Sequence, residues 1–324
     1  MPGPRVVIAA PIYGQAGHLR EALGSLLSQT YEDLALLVVD DCSPDSSATV
    51  ARELATRDAR VELVVNERRL GMLGNTNRAY ALARERYPHA EFFALASDHD
   101  IWESAWLERL VTALDGHPQA VLAYPLTNRI DAAGRKVIGS WRFTTEAIDE
   151  PRVRLRRALA RMVSGDMVYG LLRASALRPD CFYLPVLAPD RLLLSELAMQ
   201  GEFIQVEEML WRRRFVGLAA LSRQRRAFWP DGGTPITSYL PWWIVHTGIA
   251  ARRHGLGLAL RHYLPASIAF QLRSRAVRAR NAVLLRPVRA AVRSRVGRRL
   301  VRAHVLPALR EAREVLERLS KDPQ

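Results

Sequence analysis

One stretch sharply limits the folds open to this chain. Phe92, Phe93, Ala94, Leu95 and Ala96 form an apolar run that stops abruptly in Ser97, Asp98, His99 and Asp100. A short apolar run ending in acids predicts a buried strand that delivers carboxylates to the open edge of a sheet. Asp98 and Asp100 are two apart, so an extended backbone aims both to one side. Such a pair suits a hard divalent cation, because Mg2+ is typically held by one or two carboxylates together with substrate phosphates. The competing reading is a turn in which Asp100 only caps the helix from Trp102 onward.

The preceding residues supply the context. Apolar strand patterns at 5–10, 34–39, 61–65 and 92–96 alternate with helical spacing at 18–29, 46–57 and 75–87. This alternation predicts a parallel sheet with helices on both faces. Right-handed crossovers then bring the C-terminal ends of the strands to one edge, where open α/β sheets bind ligands. That edge collects Pro11 and Tyr13 from the first strand, Asp40, Asp41 and Asp45 from the second, and Asp98 and Asp100 from the fourth. Crowded acids repel unless a cation intervenes. The first strand runs into Pro11-Ile12-Tyr13-Gly14-Gln15, which lacks the glycine fingerprint of a dinucleotide-binding turn.

Charge divides the chain. Residues 1–220 carry a net −2 and residues 221–324 a net +16. A near-neutral body with a basic tail suggests an enzyme whose end meets something anionic. Val277, Val283, Leu284, Leu285, Val288, Val292, Val296, Leu300 and Val301 interleave with arginines at roughly helical spacing. A basic amphipathic helix of this kind suits an anionic membrane surface, and packing on the enzyme body accounts for it equally well. Nucleic acid is not expected as a partner, because no aromatic stacking pattern or reader motif accompanies the arginines. The longest apolar candidate, 239–251, is broken by Pro241 and His246. A strand pattern follows Met1 with no apolar leader, so a cytoplasmic location is expected, peripheral at the inner face of the plasma membrane if the tail docks there. Cys42 and Cys181 alone give neither a disulfide framework nor a zinc pattern.

Pro11, Tyr13, Ser25, Gln29, Tyr31, Asp40, Asp41, Ser43, Asp45, Gly71, Asn77 and the Asp98-His99-Asp100 triplet resemble family 2 glycosyltransferases of the GT-A type. The resemblance covers residues 4–215. It implies an α/β fold with a GT-A type, Rossmann-like mixed and mostly parallel sheet, helices on both faces, and here an α-helical C-terminal extension. Residues 1–125 would form the nucleotide-sugar-binding half, 126–225 the acceptor-binding and catalytic half, and 226–324 the basic extension. The resemblance implies Pro11 and Tyr13 near the base or ribose, Asp41 with Asp40 beside it on the base, Asp98 near the ribose and metal, and Asp100 as the principal ligand of Mg2+ or Mn2+. Asn77 matches a donor-site asparagine.

The chain departs from that pattern at three places. Gly14 stands where the family usually has Asn, and Thr76 where it has Arg directly before the matching Asn77. The diphosphate contact would then fall to Arg78, Arg68 or Arg69. In the family a catalytic carboxylate opens a helix that closes at a glycine eleven residues on, a spacing matched by Asp190 and Gly201, although Pro189 replaces the usual Glu. The resemblance thus implies Asp190 as general base, while a plain N-cap is the structural alternative. Glu196 is the second candidate, and Asp166 either faces the site or simply caps, with the structural reading preferred. The Arg212-Arg213-Arg214 run suits a diphosphate and a solvated face equally.

The implied reaction is an inverting transfer from a UDP-, GDP- or dTDP-sugar to a hydroxyl on a glycan, a lipid-linked acceptor or a small molecule. Cell-envelope polysaccharide, glycolipid and secondary-metabolite glycosylation all fit. A nucleotidyltransferase would want a basic loop after the first strand, which Tyr13-Gly14-Gln15 lacks. A non-catalytic nucleotide-sugar binder and a membrane-docking protein built on the same scaffold stay open.

Overall fold

In the computed structural model the described residues are 3–132, 134–138, 142–162, 165–214 and 221–270. The basic stretch from Val277 to Val301, expected to be helical, lies outside them. The first compact unit ends at Ser267, and the second is Ile268–Gln324.

The strands and helices of the first part fall where apolar spacing places them: β1 (Val6–Ile12), α1 (Ala16–Leu27), β2 (Leu34–Asp40), α2 (Ser47–Arg57), β3 (Val61–Val65), α3 (Gly71–Arg86) and β4 (Phe92–Leu95). A short β5 (Ile101–Trp102) leads to α4 (Trp106–Gly116), β6 (Ala120–Ile130) and β7 (Lys136–Ile138). Then come α5 (Pro151–Arg161), β8 (Leu171–Arg173), α6 (Pro189–Gln200), β9 (Glu202–Arg214), α7 (Leu221–Phe228) and α8 (Trp242–His254).

The sheet runs β3-β2-β1-β4-β8-β6-β9-β5, with β7 on β6. β3, β2, β1 and β4 are mutually parallel, β8 enters antiparallel between β4 and β6, and β9 lies parallel to β6. The sheet is therefore mixed, as expected. Met167–Arg173 re-enters it through β8, which closes the gap between its two parallel parts.

Alternation along β1 shows why the sheet is covered on both faces. Val6, Ile8, Ala10 and Ile12 pack with Leu19, Leu23 and Leu26 of α1 and Trp106, Leu107 and Leu110 of α4. Val7 and Ala9 pack with Leu73, Ala79 and Tyr80 of α3 and Leu193, Leu194 and Leu197 of α6. A strand buried on both faces reads as a continuous apolar run.

Two elements differ from the sequence expectation. Residues 141–160, expected to be irregular, contain α5. Its Leu155, Ala158 and Leu159 are buried, and its Arg154 turns inward to the carbonyls of Ile148, Asp149 and Ala198. An arginine matched by backbone carbonyls disguises a buried face as a charged one. α3 begins at Gly71, four residues before the expected 75, because Asp41 caps its first amides.

Helix α8 and the turns after it pack on the body. Leu155 and Leu159 of α5 share a small core with Ala250, Ala259 and Tyr263. Among the described residues no helix is long and apolar enough to cross a membrane.

Candidate active site

The C-terminal ends of β1, β2 and β4 open on a cleft of about 550 Å³. Pro11, Tyr13, Asp41, Asp98 and Asp190 line it, as do Arg69, Asn75, Gly165, Tyr169, Tyr183, Arg213 and Phe228.

Asp41 leaves β2 at a turn whose next residue, Cys42, holds a left-handed φ of 56°. Its carboxylate accepts hydrogen bonds from the Leu70 amide (2.6 Å), the Gly71 amide (2.8 Å) and Asn66 Nδ2 (3.0 Å). It therefore anchors the N-terminus of α3, where backbone amides and the helix dipole favour an anion. Asn66 also donates to Asn75 Oδ1, and Asn75 donates to the Val39 carbonyl. Asp40 is buried one layer behind, where it accepts from the amide and hydroxyl of Ser43. It does not line the cleft.

Tyr13 and Arg69 form one wall, with the guanidinium 4.0 Å from the ring centroid. Arg69 Nε is buried without a hydrogen-bond partner. Of the three arginines raised for the diphosphate, Arg69 alone lines the cleft. Arg68 pairs loosely with Asp231, and Arg78 is exposed on α3. Asn77 is also outside the cleft. Its amide donates to the Tyr183 carbonyl and accepts from the Tyr183 amide, both at 2.8 Å, so it clamps a backbone whose tyrosine lines the cleft.

The acids after β4 divide in depth. Asp98 faces the cleft and accepts from the Tyr13 amide (3.0 Å), while His99 Nδ1 lies 2.7 Å from its other oxygen. Asp100 is buried and accepts from the Arg214 amide at 2.7 Å, so it does not cap α4. His99 Nε2 is 3.9 Å from Asp100. One imidazole thus lies between the two carboxylates. Burial works against its charge, but the Asp98 hydrogen bond and the charges of Asp100 and Asp98 raise its pKa overall. Burial also raises the Asp100 pKa. The pair offers hard oxygen donors, Asp98 at the cleft and Asp100 buried behind it, of the kind that a divalent ion completed by phosphate oxygens takes. Among the described residues no group of three or more His, Cys, Asp or Glu is assembled to hold a metal without such help.

The opposite wall carries Asp190. Ala188 takes a left-handed conformation (φ 51°, ψ 51°), Pro189 starts α6, and Asp190 follows in the first turn. Left-handed alanine is strained, and such strain persists where the surroundings enforce it. The enforcement is visible: buried His246 of α8 donates Nε2–H to the Leu187 carbonyl at 2.9 Å, one residue before Ala188. Burial raises the pKa of Asp190, against the pull of the Arg191 amide and guanidinium. Helix position alone suggests a carboxylate held low, but desolvation outweighs it here. Tyr169 has its phenol pKa pushed up by burial and by the charges of Asp100, Asp190 and Asp98, which puts it among all three acids.

Gly165 faces Asp190 so closely that a built Cβ would stand 1.7 Å from the Asp190 Oδ2. Its neighbour Asp166, expected to be structural, lines the cleft and pairs with Arg129 (2.7 Å) and Arg213. One carboxylate thus holds two guanidiniums, of which Arg213 lines the cleft. Glu196, the second base candidate, points away toward Arg178 and Arg253 and does not line the cleft.

His246 gives a stability prediction. Burial, with Arg191 nearby, lowers its pKa from 6.5 to about 4. The unfolded chain therefore binds more protons than the folded one between those values. The stabilisation is present above pH 6.5 and lost as pH falls toward 4. Between pH 7 and pH 5 the loss is about 2 kcal/mol. Denaturant titrations at the two pH values check it against His246→Gln, which keeps an N–H for Leu187 but does not titrate. Parallel pH dependence in the two proteins would refute the assignment.

A sequence model of the family described as glycosyl transferase family 2 matches residues 7–169. An uncharacterised glycosyltransferase of Haemophilus influenzae is 28% identical over 112 residues, 35% of this chain and 33% of that one. The Escherichia coli UDP-Glc:alpha-D-GlcNAc-diphosphoundecaprenol beta-1,3-glucosyltransferase WfgD is 31% identical over 109 residues, 34% of this chain and 40% of that one. The matched segment spans a third or less of the length of the first curated relatives. The crystal structure of S. aureus TarS 1-349 in complex with UDP-GlcNAc superposes with a TM-score of 0.51 at 17% identity, covering 67% of this chain and 60% of that one. At that identity the likeness is one of fold.

Proposed function

The chain belongs to glycosyl transferase family 2, and we propose that it moves a sugar from a nucleoside-diphosphate sugar to an acceptor hydroxyl with inversion at the anomeric carbon. One observation carries the reading: Tyr13, Asp41 and Asp98 share a single cleft with Asp190, Arg69 and Arg213. Donor-type contacts and a base candidate thus face one volume.

In this reading Tyr13 and Arg69 border the base and ribose, and Asp41 with Asn75 supplies polar groups for the base edge. Asp98 and Asp100 would hold Mg2+ or Mn2+, which supplies charge to the departing diphosphate. Arg213 adds a fixed positive charge beside it, held in place by Asp166. Asp190 takes the proton from the acceptor hydroxyl as that oxygen attacks. Its raised pKa suits the role, since a base works best when its pKa approaches the operating pH. The name of WfgD, with a diphosphoundecaprenol-linked acceptor, favours a cell-envelope glycan on a lipid carrier over a small metabolite.

Calorimetric titration with UDP, GDP and dTDP, each with Mn2+ and with EDTA, tests the donor site. One nucleotide is expected to bind in a metal-dependent way. Asp100→Ala is expected to weaken that binding at least tenfold, about 1.4 kcal/mol. Absence of binding by all three nucleotides under both conditions would sink the reading.

A further inference from the structure

Exposed apolar side chains are concentrated in one part of the compact unit. Ile236 (83% exposed), Tyr239 (64%), Leu240, Ile244, Leu256 (64%) and Leu260 all fall within residues 236–260. Among the described residues before them, Val65, Met72, Val153 and Met209 are scattered. The elements carrying the six belong together: α8 packs against the turn Ile236–Tyr239 before it and against Leu256–Leu258 and Ala259–Tyr263 after it. Their inner side is fixed to the body by His246, by Tyr263 and by the core under α5. A firmly held module with exposed aliphatic and aromatic side chains marks a contact surface.

Charge indicates what the surface meets. From residue 232 to 270 the sequence has three arginines, three histidines and no acid. Arg252 and Arg261 are exposed on the module itself, and Arg253 is matched by Glu196 from α6. Apolar and tyrosine side chains on a segment that carries exposed arginines and no acid match one lying in the interface of an anionic bilayer. A protein partner would be expected to meet a surface of mixed sign.

Position relates the surface to the cleft. Ala227 and Phe228 of α7 line the cleft. Arg225 of the same helix donates to the Ser238 carbonyl at 2.8 Å and lies 4.5 Å over the Tyr239 ring. The exposed turn is thus one side chain away from an element of the cleft wall.

We infer that the face formed by Ile236, Tyr239, Leu240, Ile244, Leu256 and Leu260 seats the enzyme on an anionic lipid surface, so that the cleft opens at headgroup level. The docking stands independently of the transferase reading. Its consequence for the acceptor, delivery on a lipid carrier, rests on that reading.

The test is co-sedimentation of the full chain with vesicles of phosphatidylcholine alone and of phosphatidylcholine with phosphatidylglycerol. The parent protein is expected to pellet with the anionic vesicles, and to keep part of that binding at salt high enough to screen arginine–headgroup attraction. The combined Ile236→Ser, Tyr239→Ser, Leu240→Ser and Ile244→Ser variant is expected to lose at least tenfold of the salt-resistant binding. A second variant, Leu256→Ser with Leu260→Ser, is expected to lose binding in the same direction. A control carrying Val65→Ser, Val153→Ser and Met209→Ser is expected to bind as the parent does. Unchanged binding in both interface variants, an equal loss in the control, or failure of the parent to pellet would overturn the proposal, the last leaving the surface to a protein partner. Melting temperatures and nucleotide titrations of the same variants are expected to match the parent, so failure of docking and failure of the donor-site reading are seen separately.

Discussion

Asp190→Asn is expected to lower turnover about 10²- to 10⁴-fold while nucleotide binding stays within a few-fold of the parent. Asparagine keeps the size of the side chain in the tight space opposite Gly165, so the fold of the cleft is preserved. What disappears, in the proposed mechanism, is the ability to accept a proton from the acceptor hydroxyl. The pH dependence of turnover in the parent gives an independent check. Because burial raises the Asp190 pKa, the acid limb of the profile is expected above the ordinary carboxylate range near 3.8. Activity should fall as pH drops through that raised value, since the protonated form is no base. Initial-rate measurements across pH, with the best-binding nucleotide's sugar as donor, would show it. A variant with full activity would remove Asp190 from the mechanism and leave the cleft without its base.

Gly165→Ala is expected to cost roughly 10²-fold in turnover with a much smaller change in nucleotide affinity, because small misplacements of a reacting group can cost this much. A Cβ at position 165 would overlap the Asp190 carboxylate at 1.7 Å, and also its Cγ at 2.4 Å. Asp190 follows a strained Ala188 and a proline, so its backbone has little freedom to retreat. The carboxylate must therefore swing away, and because the Asp190 Cβ would still stand 2.8 Å off, one of the two segments must shift slightly as well. The split between turnover and affinity is diagnostic: an equal loss in both would point to general damage of the cleft instead.

Much of the candidate site was legible in the sequence because its proposed donor half lies at strand ends. Pro11, Tyr13, Asp41 and Asp98 follow apolar runs, and a run that stops in polar residues marks both a strand and its functional edge. Residues on helices were harder to read. Along α3 the buried side includes Leu73, Asn75, Thr76, Ala79, Tyr80 and Ala83. That stripe carries Asn75 to the cleft and leaves Arg78 outside, a phase that the strict position of Asn77 in a motif does not report. Asn77 still matters, but through the Tyr183 backbone.

The Arg212-Arg213-Arg214 run shows a different limit. In sequence it is one basic patch; on β9 successive side chains alternate faces. Arg212 meets Glu103, and Arg214 reaches His99, Ala132 and Glu21. Arg213 alone of the three lines the cleft. Gly165 was beyond reach, and Asp166 was raised only as the weaker of two readings, for a third reason. Their importance comes from what a distant helix and strand bring against them, and no local pattern encodes that.

Gly71, at φ 76°, has the Phe228 carbonyl and the Pro230 ring so close that a Cβ would stand 2.6 and 2.5 Å from them. The start of α3, which Asp41 caps, is thereby roofed by a segment far downstream. The consequence concerns recombination. A chimera that borrows residues 1–125 as a portable donor module would leave this roof behind, exposing the polar network around Asp41 and Asn75 to water. Exchange of donor specificity between such enzymes should therefore carry residues 221–230 together with the N-terminal half, as one inherited unit split in two along the chain.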